Sequence, residues 1–363
     1  MLRAAVKAAR QACLIATRLG PAHAAAVNQT SWRRGMLVGM RRREELYRAY
    51  WHLACERQRI FEARLAGQPA PWTDDEILHR YRFTNPWRAS DRVSQFLIHD
   101  VIYSDLDLAP EDEVVRIVLF RLFSRPATWR ALEDQLGPIR RATLRSRRLP
   151  ASLEQLRQTG PIYTSAFILC ANNAYGHDRK HLNHLALVSD MVRGGRLLRA
   201  LARARSLRGV YEALAGYPLI GPFMAYQLAI DLNYSTLIDF SENEFTAPGP
   251  GAERGILKVY PKATCAEMPQ IIHRMVEEQD EQCGALGYPP PRLSGRRPLH
   301  AIDCQNLFCE LDKYAREKFP AIRSDRVRIK AKFVQSPEPL PQPFYPPKWG
   351  LTASVRRAVA AAK

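Results

Sequence analysis

The sequence predicts a mostly α-helical protein. Three observations carry that prediction. Apolar residues recur at helical spacing along most of the chain, no run of alternating strands breaks the pattern, and no repeat of roughly 20–50 residues is present. With 363 residues and 46% hydrophobic content, there is chain enough for a large core, in one domain or two lobes.

Residues 1–43 hold nine Lys or Arg and no acid. Such an Ala/Arg-rich segment is a transit-like peptide, a nucleic-acid arm, or an extension ahead of a start at Met36 or Met40, which favour the last. It is taken as a basic extension, open to disorder. Residues 44–66 place Tyr47, Tyr50, Trp51, Ala54, Gln58, Phe61 and Leu65 at helical spacing, and Gly67 to Pro71 end that helix. Thr73-Asp74-Asp75-Glu76 reads as a capping box for the next one. Glu111 to Phe123 and Thr128 to Leu136 read as helices parted by Arg125-Pro126, and further helices are expected over 151–158, 180–203, 222–232, 265–279 and 304–318. The folded domain is expected over 44–320. The rest, 321–363, is a basic tail whose Pro-rich part, Pro337 to Pro347, crosses the surface in extended form without a core of its own.

The formal net charge of +18 points to a polyanionic partner, DNA first, because cations that neutralise phosphates supply most non-specific affinity. A generally basic surface is the plain alternative. No apolar run approaches the roughly eighteen residues of a membrane span, so no membrane partner is expected. Seven scattered cysteines without a C-x-x-C pair fit free thiols in a reducing compartment, and exclude the usual zinc-ribbon and iron–sulfur spacings. The expected location is cytoplasmic, at a nucleoid or in a phage-infected cell, or nuclear if the source is eukaryotic.

The segment from Tyr217 to Gly255 is the most informative. A Pro/Gly turn, Pro218-Leu219-Ile220-Gly221-Pro222, leads into an apolar helix. Leu237-Ile238-Asp239 then carries a carboxylate out of a hydrophobic stretch, and a glycine loop closes the segment, Gly249-Pro250-Gly251-Ala252-Glu253-Arg254-Gly255. Amides presented by a turn, a carboxylate and a second glycine loop suit chemistry on a DNA base.

The order of turn, apolar helix and Ile-Asp resembles the helix–hairpin–helix DNA glycosylase fold. Its hairpin is degenerate here. Leu219 stands where the first of two glycines is usual, and Phe223 replaces the lysine of bifunctional glycosylases, so Schiff-base strand cleavage is not expected. A narrower resemblance covers Glu44 to Arg316. Trp72-Thr73, Phe83-Thr84-Asn85-Pro86-Trp87-Arg88-Ala89-Ser90-Asp91-Arg92-Val93-Ser94-Gln95, Ile220 to Gln227, Phe240 to Phe245 with Gly249-Pro250-Gly251, and Asp303 to Glu310 are similar to the α-glutamyl/putrescinyl thymine pyrophosphorylases. These are phage-type amino-acid:DNA transferases, related to the helical domain of hydroxymethyluracil DNA kinases. The resemblance implies DNA hypermodification: an amino acid or polyamine amine displaces pyrophosphate from the 5-methylene of an activated hydroxymethyluracil in DNA. A hydroxymethyluracil DNA kinase is the implied partner. Departing pyrophosphate makes Mg2+ the natural cofactor, although no ligand set demands it. The alternatives are a base-excision glycosylase on the same scaffold and a non-catalytic DNA-binding module. The chain has no G-x-x-x-x-G-K-[ST] loop, which argues against its being the kinase itself.

Under this reading Asp239 orients the base or acts as general base, with Glu242 beside it; a turn-capping Asp239 is the plain alternative. Gly249, Gly251 and Gly255 form an anion nest for pyrophosphate, with Arg254 or Lys258 adding charge, unless the segment is an ordinary surface loop. Arg88, Asp91, Arg92 and Gln95 share one helical face at i, i+3, i+4, i+7 and, with Asn85, read a base edge or bind phosphate; a salt-bridged solvent face is the alternative. Gly221, Tyr226 and Gln227 complete the DNA- or base-binding set. Asp303, Gln305, Asn306 and Glu310 read as a buried hydrogen-bond network. His177, His181 and His184 are spaced for one helical face, but with no fixed carboxylate nearby no metal site is assigned to them. Arg193, Arg196, Arg199 and Arg203 form a basic stripe, and Arg140, Arg141, Arg145, Arg147 and Arg148 a second cluster, for the DNA backbone.

Overall fold

The computed structural model describes residues 40–165, 173–322, 324, 332–334 and 340–351. The extension over 1–39, Cys13, Cys170 and Pro337 lie outside the described residues. Among them the chain is helical, with no strand beyond the isolated bridges Tyr81–Lys332 and Leu293–Arg297.

Helix α1 (Glu44–Leu65) forms where the aromatic stripe predicts it, and buries Tyr47, Tyr50 and Trp51 against the centre of the molecule. The short α2 (Glu76–Arg80) is capped by Asp75, whose Oδ1 accepts the amides of Ile77 and Leu78 at 2.9 and 3.0 Å. Thr73 is not the cap. Its hydroxyl donates to Glu56 at 2.5 Å, so the cap lies two residues later than expected and no capping box forms.

The next segment departs from expectation. Arg88–Ser90 is a single 3-10 turn, Asp91 is extended, and α3 (Arg92–Phe96) follows, opening into a wider turn over Leu97–Ile102. Arg88 and Gln95 therefore do not share a helical face. The reason is local. Asp91 turns back to accept the Asn85 amide at 2.8 Å, and a buried Arg57 donates to the Asn85 side chain at 2.6 Å.

Helices α4 (Pro110–Phe123) and α5 (Pro126–Leu136) each start on a proline, which suits the first helical turn because that position lacks an amide partner. Next come α6 (Arg148–Thr159) and α7 (Lys180–Val192). The helix expected over 180–203 is broken by Gly194 and Gly195, at φ 54° and 72°, and resumes as α8 (Arg196–Arg203). A helix not foreseen, α9 (Leu207–Ala215), leads through the Tyr217–Gly221 turn into α10 (Pro222–Tyr234), and the two pack against each other. Leu219 takes φ 69° in that turn, a left-handed conformation that glycine adopts without strain.

The second half of the fold is built around α13 (Ala301–Lys318), which packs on α1, on α11 (Pro250–Val259) and on α12 (Met268–Ala285). One hydrophobic cluster runs from Leu46 to Leu351 and includes residues of both halves. The segment 340–351 is extended apart from one 3-10 turn, Pro347–Trp349, and its Tyr345 and Leu351 join that common core.

Candidate functional site

Helix α10 is apolar on nearly every face, yet Gln227 and Asp231 sit one turn apart on it and both are buried. A carboxylate so placed needs a cationic partner, since desolvation alone would neutralise or expel it. Two arginines supply it. Arg88 reaches in from the 3-10 turn, donating Nε to Gln227 Oε1 at 2.9 Å and Nη2 to Asp231 Oδ1 at 2.8 Å. Arg121 of α4 approaches from the other side, with Nη2 on Oδ1 at 2.8 Å and Nε in close contact with Oδ2. Burial works against the Arg88 charge, but Asp231 outweighs it and holds the guanidinium above its ordinary range.

A second charged group adjoins the first. Glu242, on the loop after α10, is 3% exposed and lies 2.9 Å from Arg297 Nη2 and 3.7 Å from His300 Nδ1. His300 and Asp303 form the capping box that opens α13. Asp303 Oδ2 accepts the His300 amide at 3.0 Å and Oδ1 the Arg88 amide at 2.8 Å, joining the two groups. Burial pushes the Asp303 carboxyl up to about 6, with the Glu242 charge adding to it. Burial would raise Glu242 too, but Arg297 and His300 overcome it and hold Glu242 below the usual range. Tyr226 and Tyr234, both buried, complete the cluster; burial raises both phenols, and the Arg88 guanidinium lies 5.5 Å from the Tyr234 ring centre.

Among the described residues, Arg88 Nη1, Gln227 Nε2, Arg297 Nε and Glu242 Oε1 are buried without a hydrogen-bond partner. Buried polar atoms are almost always paired, so three donors and an acceptor left over in one cluster mark a place where a polar ligand gains hydrogen bonds.

Residues 340–351 lie over this cluster. The Gln95 side chain accepts the Phe344 amide at 2.8 Å and donates to the Phe344 carbonyl at 3.1 Å. Tyr345 OH meets Ser90 Oγ at 2.9 Å. Trp349 stacks on Tyr345, meets the Tyr234 ring edge-on, and faces the Arg297 guanidinium at 3.6 Å. Lys348 Nζ donates to the Ser235 and Ile238 carbonyls at 3.0 and 2.8 Å and pairs with Asp239 at 3.1 Å.

Of the residues the sequence singles out, Arg88, Tyr226, Gln227, Glu242 and Asp303 converge here, and Gln95 borders them through the overlying segment. Asp239 does not enter; it is 81% exposed, on the far side of Lys348. Asn85 and Asp91 serve the turn described above instead of facing outward, and burial pushes Asp91 up to about 7. Arg92 and Gly221 are exposed.

The expected glycine loop is corrected outright. Gly249 caps α11, and Gly251 and Gly255 lie within it, against α13. A Cβ on Gly255 would stand 1.9 Å from the Phe308 carbonyl oxygen, and one on Gly251 2.2 Å from Cys309 Sγ. These glycines allow close helix packing and form no nest. Arg254 and Lys258 are spent on Asp312, at 3.1 and 3.0 Å.

The histidines separate as well. His177 precedes α7, His181 lies 3.6 Å from Glu154, and His184 Nδ1 meets Tyr163 OH at 3.0 Å. Among the described residues no three His, Cys, Asp or Glu side chains stand together as a metal-binding group, and no helix is long and apolar enough to cross a membrane. Arg196, Arg199 and Arg203 are exposed along α8, with Arg193 on the turn before it.

Sequence reasoning missed Asp231, Arg121, Arg297 and Trp349. The first left a signal: one acid inside an otherwise apolar helical run implies a buried partner. The others left none, since their roles come from segments far apart in the chain.

The 5-hmdU DNA kinase helical domain matches residues 44–324 of this chain. A 5-hmdU DNA kinase of Bacillus phage SP10 is similar, 27% identical over 304 residues, which cover 76% of this chain and 46% of that protein. The chain thus spans less than half the length of the curated relative it matches. No solved structure matches.

Proposed function

The chain belongs to the 5-hmdU DNA kinase helical-domain family, and from that membership we infer that it acts on hydroxymethyluracil in DNA. The reading is a hypermodification transferase of the thymine pyrophosphorylase type. The observation that carries it is the set of unpartnered buried atoms on Arg88, Gln227, Arg297 and Glu242. A uracil-type base presents two carbonyl oxygens flanking an N–H. Arginine and glutamine donors suit the oxygens, and a carboxylate oxygen suits the N–H. Such a base reaches a buried cluster only by leaving the stack.

In the reaction, the amine nitrogen of an amino acid or polyamine forms a bond to the 5-methylene carbon. The carbon–oxygen bond to pyrophosphate breaks, and pyrophosphate departs with the electron pair. The amine's proton passes to a carboxylate, for which exposed Asp239 is the candidate; Glu242 holds the base. The helix–hairpin–helix likeness supports a DNA-facing role for the turn between α9 and α10, and the exposed arginines of α8 adjoin that hairpin. Mg2+ would accompany pyrophosphate; the described residues supply no ligand set of their own, and no step is assigned to it.

A second reading follows from the relative's name and length. The matched region is under half of a kinase, so the chain would hold hydroxymethyluracil in DNA for a phosphorylation carried out elsewhere. Nucleoside mass spectrometry separates the readings. DNA bearing pyrophosphorylated hydroxymethyluracil is incubated with the protein, amino acids and polyamines, then digested. A heavier nucleoside with pyrophosphate release supports the transferase. Free base and abasic sites support a glycosylase. Unchanged DNA that is nonetheless bound supports the holding role.

A further inference from the structure

Resting on the reading that the polar cluster receives a DNA base, we propose that residues 340–351 are a displaceable gate over it, clasped by the Lys348–Asp239 ion pair.

The segment competes for the groups a base would use. The Gln95 carboxamide is held on both sides by the Phe344 main chain, at 2.8 and 3.1 Å. A main-chain amide and a base edge make the same paired demand on glutamine, so only one of them can have it. Trp349 covers the Arg297 guanidinium at 3.6 Å and closes on Tyr234. A ligand cannot stack on this face of the Arg297 guanidinium until Trp349 withdraws.

Part of the attachment suits release. Beyond one 3-10 turn the segment has no regular structure, and Pro341, Pro343, Pro346 and Pro347 carry no amide donor. The clasp is an ion pair with a carboxylate that is 81% exposed, and such pairs contribute little on their own. Opening must also break the Lys348 hydrogen bonds to the Ser235 and Ile238 carbonyls and lift the buried Tyr345 from the core. Four prolines also keep the released segment extended, which lowers the entropy lost on closing again.

The closed state also leaves the cluster unsatisfied. A permanent seal over Arg88 Nη1, Gln227 Nε2, Arg297 Nε and Glu242 Oε1 is a standing cost with no return. A gate relieves that cost whenever a base enters. The segment lies outside the 44–324 stretch that the family match covers. Opening it also frees Asp239 of Lys348.

Hydrogen exchange on the full chain tests the gate without a ligand. The amides of Phe344, Trp349 and Gly350, bonded to Gln95, Pro346 and Pro347, should exchange about 100-fold or more faster than those of α10, through local opening. Lys348→Ala and Phe344→Ala, at opposite ends of the segment, should each speed that exchange and leave α10 unchanged. A single-stranded oligonucleotide carrying one 5-hydroxymethyluracil should associate roughly 3–10-fold faster with both variants than with the wild-type chain. Segment amides that exchange only together with α10 overturn the gate. So does oligonucleotide binding that weakens in Arg88→Lys or Glu242→Gln but proceeds at the wild-type rate in both segment variants. Local opening as expected, with binding unaffected by Arg88→Lys and Glu242→Gln, supports the gate and instead removes the cluster as the place where the base goes.

Discussion

Asp231 carries two arginines at full burial, so its removal has a direct consequence. Asp231→Ala leaves two guanidiniums buried without an anion, and the expected loss is about 3–5 kcal/mol of stability, read by denaturant unfolding. A loss below about 1 kcal/mol would mean that the arginines find other partners. Asp303 supplies a pH dependence. Its folded carboxyl sits near 6, above the ordinary 3.8, so between those values the folded chain holds a proton that the unfolded chain has released. Stability from this group is therefore greatest below about pH 4 and declines as pH rises through 6. The stability difference between wild type and Asp303→Asn should shrink over that window by on the order of 3 kcal/mol, measured by unfolding at several pH values. A pH-independent difference would rule it out. Of these residues, Arg88, Gln227 and Glu242 were legible as polar groups in aromatic or apolar surroundings. The role of Asp303 as cap and bridge was not, because its partner Arg88 lies 215 positions away.

At the scale of elements, α11 and α13 are held at a separation that only glycine permits. Gly255→Ala would press a methyl into the Phe308 carbonyl, main chain that cannot rotate aside. The expected cost is about 1–3 kcal/mol, toward the upper end. At Gly284, within α12, a methyl group would meet nothing within 4 Å. Gly284→Ala should therefore stabilise by about 0.5–1 kcal/mol through helix propensity. Thermal unfolding of the two variants checks the pair, and similar shifts in both would defeat the packing argument. Periodicity marked α1, α4, α5, α10 and α13 well, because each buries one stripe or a whole apolar surface. It failed at 249–259, where glycines spaced for a loop serve a helix, and at 193–195, where two positive-φ glycines break a run whose side chains keep helical spacing.

Across the whole molecule, the +18 charge is only partly absorbed inside. Arg88, Arg121 and Lys258 are buried in pairs and Arg297 is half-buried against Glu242, whereas Arg193, Arg199, Arg203, Arg205 and Arg208 are exposed around α8 and α9. DNA binding should therefore weaken steeply with salt. Arg203→Ala and Arg205→Ala should each lower the log–log slope by about one if each contacts a phosphate. Binding titrations from low to moderate salt measure this, and an unchanged slope in both variants would place the DNA on another face.

The sequence by itself determined the helical class, most helix positions, the basic character and the kinship with hydroxymethyluracil DNA kinase helical domains. These rest on local periodicity, composition and motif order, which need no knowledge of the fold. Only the tertiary structure decided which polar residues share a site. Arg88, Arg121, Asp231, Glu242, Arg297 and Asp303 come from six separate helices and loops, and close packing makes their charges interdependent. It also decided that Gly251 and Gly255 pack helices and that the Pro-rich end closes over the cluster. Contacts between segments a hundred or more residues apart leave no pattern along the chain.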